Sequence, residues 1–128
     1  MNREMDDKLR GMREKPVETA IRELKAISRK YPKSSRPLLL LAAIAFEAEM
    51  YLEAGKAFEK LITLRPKSNM ISLGLFHSLW GQERFGEALE EIKRFLETVG
   101  KSRHKRQINE YMEILREIKE KACQNENT

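Results

Sequence analysis

Residues 54–66 read AGKAFEKLITLRP. Ala54, Ala57, Phe58, Leu61 and Ile62 fall on one stripe of a helix. Arg65-Pro66 ends that helix, because the residue before a proline is pushed out of the helical region. The same arrangement stands one period earlier and one period later. Ala20, Ala54 and Ala88 are 34 residues apart; Leu24, Phe58 and Ile92 follow four residues behind them, and Pro32, Pro66 and Gly100 twelve residues behind. A small residue, a bulky apolar residue and a helix stop on this period are the signature of a helix–turn–helix repeat array. The expected fold class is all-α, with antiparallel helix pairs stacked into a short right-handed superhelix of about seven helices.

Outward from that stretch, the repeats fall at about 1–34, 35–68 and 69–102, within one domain spanning 1–128. Leu38 through Phe46 is almost continuously apolar, as expected of a helix buried on several sides. Ser34 or Ser35 is its expected cap, with Pro37 in its first turn. Met1, Met5, Leu9 and Met12 suggest a short, weak opening helix. Pro16 suits the first position of the next, which carries Val17, Ala20, Ile21, Leu24 and Ile27 and stops at Tyr31-Pro32. In the third repeat, Ser68 or Asn69 caps a helix broken at Gly81-Gln82. Its partner buries Phe85, Ala88, Leu89, Ile92, Phe95 and Leu96, with Glu87, Glu90, Glu91, Lys93, Arg94 and Glu97 outside. A final helix over about 103–122 closes the array with Ile108, Tyr111, Met112, Leu115 and Ile118 inward, and a polar tail over 123–128 frays.

Composition narrows the class. The 128 residues are the size of one ordinary domain, with 35% charged and 41% hydrophobic residues. No run of ~18 apolar residues exists to span a membrane, and the N-terminal residues lack the apolar core of a secretory signal. Cys123 is the only cysteine, which points to a reducing cytoplasm. The net charge of +5 sits mainly at the two ends of the chain.

At this point the residues resemble the tetratricopeptide repeat family over roughly residues 17–100. The resemblance is carried by Ala20/Leu24/Ile27/Pro32, by Leu41/Ala42/Ala45/Ala54/Phe58/Leu61/Pro66 and by Leu75/Leu79/Ala88/Ile92/Phe95. It departs from the family where a large residue is only Leu38 or Ser72, where glycine is replaced by Ala42 and Phe76, and where tyrosine is replaced by Ala45 and Leu79. Arrays of this kind bind a peptide, helix or domain of another protein in a concave groove. Carried over by phase, the resemblance implies groove positions Met5, Leu9, Met12, Arg36, Leu39, Ala43, Phe46, Glu47, Met70, Leu73, His77 and Trp80. The family's carboxylate clamp is missing, because Met5, Leu9, Leu40, Met70 and Gly74 stand at its positions.

A mostly apolar, methionine-containing strip has three readings. It accepts the apolar face of a partner helix, it is core covered by the chain's own last helix, or it is the seam of a homodimer. Trp80 and His77, one turn apart, are either a binding anchor or the closure of a helix end. Lys101, Arg103, Lys105 and Arg106 form a candidate basic patch for phosphates or an acidic protein, against the alternative of a solvated turn. No catalytic motif, cofactor motif or metal-ligand spacing is present, and no cofactor is expected. The reading that results is a non-enzymatic module that binds another protein, as adaptor, chaperone-like or toxin-neutralising immunity protein. The alternatives are a nucleic-acid-associated repeat protein working through its basic ends, the less favoured partner class, and a self-assembling structural protein.

Overall fold

The computed structural model describes residues 3–100 and 105–126, and among them are seven α-helices and no strand. α1 is Arg3–Leu9, followed by a 3-10 turn over Met12–Glu14. The array proper is α2 (Val17–Lys30), α3 (Arg36–Glu47), α4 (Tyr51–Leu64), α5 (Asn69–Gly81) and α6 (Phe85–Val99), closed by α7 (Lys105–Glu126). Each helix from α2 to α6 packs against the next. The apolar side chains of α1 to α4, with Ile71 of α5, form one core and the remaining ones of α5 to α7 another, with Phe58 and Ile62 packing against both. The alanines of the period (Ala20, Ala54 and Ala88) have no exposed surface, so each allows a neighbouring helix to approach closely.

Helix boundaries follow local chemistry. Pro16 stands immediately before Val17, and α2 ends at Tyr31, ahead of Pro32. Ser68 caps α5 by accepting a hydrogen bond from the Ile71 amide at 3.2 Å. Of the two candidate caps for α3, Ser35 holds the flanking position without a side-chain bond, and the Ser34 hydroxyl accepts from the Arg36 amide.

Two turns repeat with the period. Glu49 and Glu83, 34 residues apart, both adopt left-handed backbone conformations, with φ of 59° and 60°. The Met50 amide bonds back to Ala45 O and the Arg84 amide to Leu79 O, both at the spacing of a Schellman motif. Glutamate occupies the site that glycine usually takes, so composition alone does not mark these turns. The α3–α4 turn thus lies at Ala48–Met50.

Close approach of α4 and α5 depends on Gly74. A methyl group there would overlap the tip of the Phe58 ring, which lies directly on the α5 backbone. Phe58 cannot retreat freely, because Phe46 packs edge-on against it at 6.4 Å between centroids. Gly74→Ala is therefore expected to destabilise the fold by about 1–3 kcal/mol through overpacking. It should do so although alanine is the better helix former by ~1 kcal/mol. Urea denaturation measures this, and a gain in stability would show that the ring has room to move.

At the far end, α7 docks through a buried polar chain. Arg94 donates to both oxygens of Glu91, at 2.6 and 2.7 Å, and to Pro66 O at 2.9 Å. The Arg94 guanidinium is held above its ordinary pKa, chiefly by the hydrogen bond to Glu91. Ser72 Oγ donates to Glu91 Oε2 at 2.7 Å. Since that bond uses the single serine proton, Tyr111 OH is the donor in its 2.7 Å bond to Ser72 Oγ. The Tyr111 ring is fully buried and lies 5.8 Å from both Phe76 and Phe95.

These contacts correct three expectations. Glu91 is buried, not on the outer face of α6, because Ser72 leaves space that a carboxylate, a hydroxyl and the Tyr111 phenol fill together. Phe85 is exposed at the start of α6, with its ring 4.5 Å from that of Trp80. Met112 faces outward, and Ile114 packs inward with Leu115.

Candidate functional site

The groove positions lie on α1, the 3-10 turn after it, α3 and α5. Between α1 and α3 the chain forms an open cleft of about 700 Å³. Its floor is Leu9, Leu39, Leu40 and Ala43, and its rim is Asp6, Arg10, Arg13 and Arg36. Leu9, Leu39 and Ala43 are half-buried, so they keep apolar surface open to solvent, and Leu9 and Leu39 pack on the core below. Helix α3 can show such a face because it is apolar nearly all round.

Not every implied position meets this cleft. Met5 and Met12 are only 5% and 3% exposed and belong to the core beneath α1, where they anchor the short helix and the turn behind it. Phe46 is half-buried and engaged edge-on with Tyr51 and Phe58. Glu47 is exposed and pairs with Arg13 at 2.9 Å. Met70, Leu73, His77 and Trp80 hold on α5 the positions that Arg36, Leu39, Ala43 and Phe46 hold on α3, one period earlier. They do not line the α1–α3 cleft. Met70 is 63% exposed and Trp80 36% exposed, His77 is exposed, and Leu73 is half-buried. Trp80 stacks on Phe76 at 5.7 Å, so one face of the indole is packed and the side chain is already ordered.

Of the rim, the phase of the period points to Arg36 and not to the other three residues. Asp6, Arg10 and Arg13 sit in the first fifteen residues, where the repeat pattern is faint. The one available signal was that Arg13 precedes Glu47 by a full period, which places them at equivalent points of adjacent helix pairs. Arg36 pairs with Asp6, tying α3 to α1, and Lys30 pairs with Glu4 at 2.9 Å, tying α2 to α1. The Glu4 carboxyl is held below its ordinary range, first by its hydrogen bond from Lys30, and the Lys30 ammonium is raised correspondingly. Because these pairs are solvent-exposed, they orient α1 more than they stabilise it, and a partner's carboxylates can compete for the same arginines.

Helix α7 does not seal the α5 positions, since Tyr111 reaches Ser72, Phe76 and Phe95 while Met70, His77 and Trp80 remain exposed. In the candidate basic patch, Lys105 and Arg106 are exposed in the first turn of α7, and Lys101 and Arg103 lie outside the described residues. Among the described residues, no three His, Cys, Asp or Glu side chains cluster as metal ligands, and no helix is long and apolar enough to cross a membrane. Set beside known proteins, the chain matches no family model and no curated protein sequence.

Proposed function

We propose that this chain is a tetratricopeptide-like, non-enzymatic protein-binding module that holds the apolar face of a partner helix or segment against α3 and α5. The observation that carries this reading is the half-exposed apolar row of α3 and α5. Leu39 and Leu73 rest on a packed core and Trp80 stacks on Phe76, yet these side chains and Ala43 keep surface open, while the chain's own last helix docks elsewhere. Burial of such surface is worth about 25 cal/mol per Å², enough for specific binding when a few anchors are already ordered. Arg10, Arg13 and Arg36 at one end of the row favour a partner with acidic residues flanking its apolar stretch. Stoichiometric holding of this kind serves an adaptor, a chaperone or a toxin-neutralising protein. The single cysteine of the sequence favours a reducing setting such as the cytoplasm.

The test uses side chains that the core does not need. Wild type and the double variant Ala43→Glu/Met70→Glu are used as baits in parallel affinity captures from the native cell. The captured protein is then titrated against both. The variant is expected to keep its helicity by circular dichroism and to bind at least ten-fold more weakly, a loss of about 1.4 kcal/mol or more. Equal binding by the two baits would remove the groove reading. Binding through phosphates would instead collapse by several orders of magnitude between about 50 and 200 mM salt, which an apolar contact survives.

A further inference from the structure

On the side of the array away from the groove, α2 and α4 enclose a second cleft, of about 450 Å³, over an apolar floor of Leu38, Leu41 and Ala57. Its walls carry Lys25, Arg29, Lys56 and Lys60 against two carboxylates, Glu53 and Glu59. Lys25 pairs with Glu53 at 2.7 Å, and Glu59 lies 3.9 Å from Arg84. Among the described residues, Arg29, Lys56 and Lys60 have no ion-pair partner. This contrasts with the groove rim, where Arg10, Arg13 and Arg36 are all paired. An adjoining recess of about 350 Å³ shares Arg29 and Lys60 and extends the cleft toward Pro32.

The repeat supplies an internal comparison. Moved on by one period, Lys25, Leu41, Glu53, Lys56, Ala57 and Lys60 become Glu59, Leu75, Glu87, Glu90, Glu91 and Arg94. All six of those residues line the corresponding recess between α4 and α6. The same architectural cleft therefore occurs twice with its charge reversed, since the second holds four carboxylates and one arginine. Its Glu91 and Arg94 are consumed by the α7 dock, and Glu87 pairs with Arg84. In the first cleft no comparable structural duty occupies Arg29, Lys56 and Lys60. Like charges gathered around an apolar floor repel one another, and a multiply charged anion relieves that repulsion.

We infer that the α2–α4 cleft is a binding site for a compact polyphosphate anion, with Arg29, Lys56 and Lys60 as its ligands. Arginine supplies a planar fork matched to phosphate oxygens, and the lysines supply point charges. The cleft volume lies within the range that holds a nucleotide-sized molecule, whose apolar portion would rest on Leu38, Leu41 and Ala57. This site is separate from the groove and does not depend on it.

Isothermal titration of the full chain with sodium pyrophosphate and with ATP, at low ionic strength, tests the inference. Wild type is expected to bind, Lys56→Gln/Lys60→Gln to bind at least ten-fold more weakly, and Lys60→Arg to retain binding. Lys119→Gln/Lys121→Gln, which removes the same charge from exposed positions on α7, should change affinity less than two-fold. Amide chemical shifts of the wild type supply a second readout that needs no variant, with changes expected around residues 25–29 and 56–63 and not around 87–94. Vesicles of phosphatidylcholine with a phosphoinositide, run in parallel, separate a lipid headgroup from a free phosphate as the source, and either result upholds the site. The site is overturned if neither pyrophosphate nor those vesicles bind, or if the α7 control loses as much affinity as the cleft variant. It is equally overturned if an oligonucleotide binds while pyrophosphate does not.

Discussion

Replacing Glu91 with alanine is expected to lower the unfolding free energy by about 3 kcal/mol and to release α7 from the end of the array. Glu91 accepts three hydrogen bonds, one from Ser72 and two from Arg94, with its side chain 4% exposed. Without it, Ser72 loses its carboxylate acceptor and Tyr111 bonds to a hydroxyl that is no longer held in place. Removing one partner of a buried pair costs about 3–5 kcal/mol when the other charge is stranded. Here Arg94 keeps its bond to Pro66 O and is 29% exposed, so water compensates part of the loss and the lower end applies. For a chain of this size that is roughly 10 °C in melting temperature. Glu91→Gln should recover little, because its amide group brings a donor against the Arg94 donors. Tyr111→Phe removes only the last link of the chain and should cost about 1 kcal/mol. Thermal denaturation followed by circular dichroism, with amide exchange of α7, reads both effects. A loss below 1 kcal/mol for Glu91→Ala would mean that apolar packing of Tyr111, and not the polar chain, holds α7.

Leu61→Ala is expected to cost about 2–5 kcal/mol, toward the upper end. Leu61 has no exposed surface and sits in α4, which packs against both α3 and α5. The size of the loss depends on whether neighbours can collapse into the space left behind. Around α4 they are constrained, since the rings of Phe58 and Tyr51 lie hard against Gly74 and Gly81 of α5. A repeat array sums the stabilities of its units and of the interfaces between them, so a cavity in a central helix weakens two interfaces together. Urea denaturation should show a lower midpoint and, if the halves separate, a shallower slope. A loss below about 1.5 kcal/mol would show that the central interface closes over the cavity.

Much of this architecture is legible in the sequence. The apolar stripe of α4, the proline stops and the Ser68 cap are local signals, each decided within one or two helical turns, and the helices form where those signals stand. Leu9, Arg36, Leu39 and Ala43, groove positions that the family resemblance implies, line one cleft. Local reasoning failed where a residue's surroundings come from distant chain. Met5 and Met12 share the helical phase of groove residues, but the face they present is the one that α1 turns toward the core. Glu91 has the composition and spacing of a surface residue, and its burial depends on Ser72, 19 residues away, and on Tyr111.

The sequence by itself determined that the chain is a succession of antiparallel helices on a 34-residue period, because periodicity and helix stops act over distances shorter than one repeat. Tertiary structure alone decided how each copy of that period is used. One inter-repeat cleft is left basic, with Arg29, Lys56 and Lys60 outside any ion pair among the described residues, and the next is consumed by carboxylates and an arginine that dock α7. The last helix goes to the end of the array because a buried carboxylate, hydroxyl and phenol complete one another there, which leaves the apolar row of α3 and α5 open. That choice follows from satisfying polar groups across three helices at once, a condition that no single stretch of chain contains.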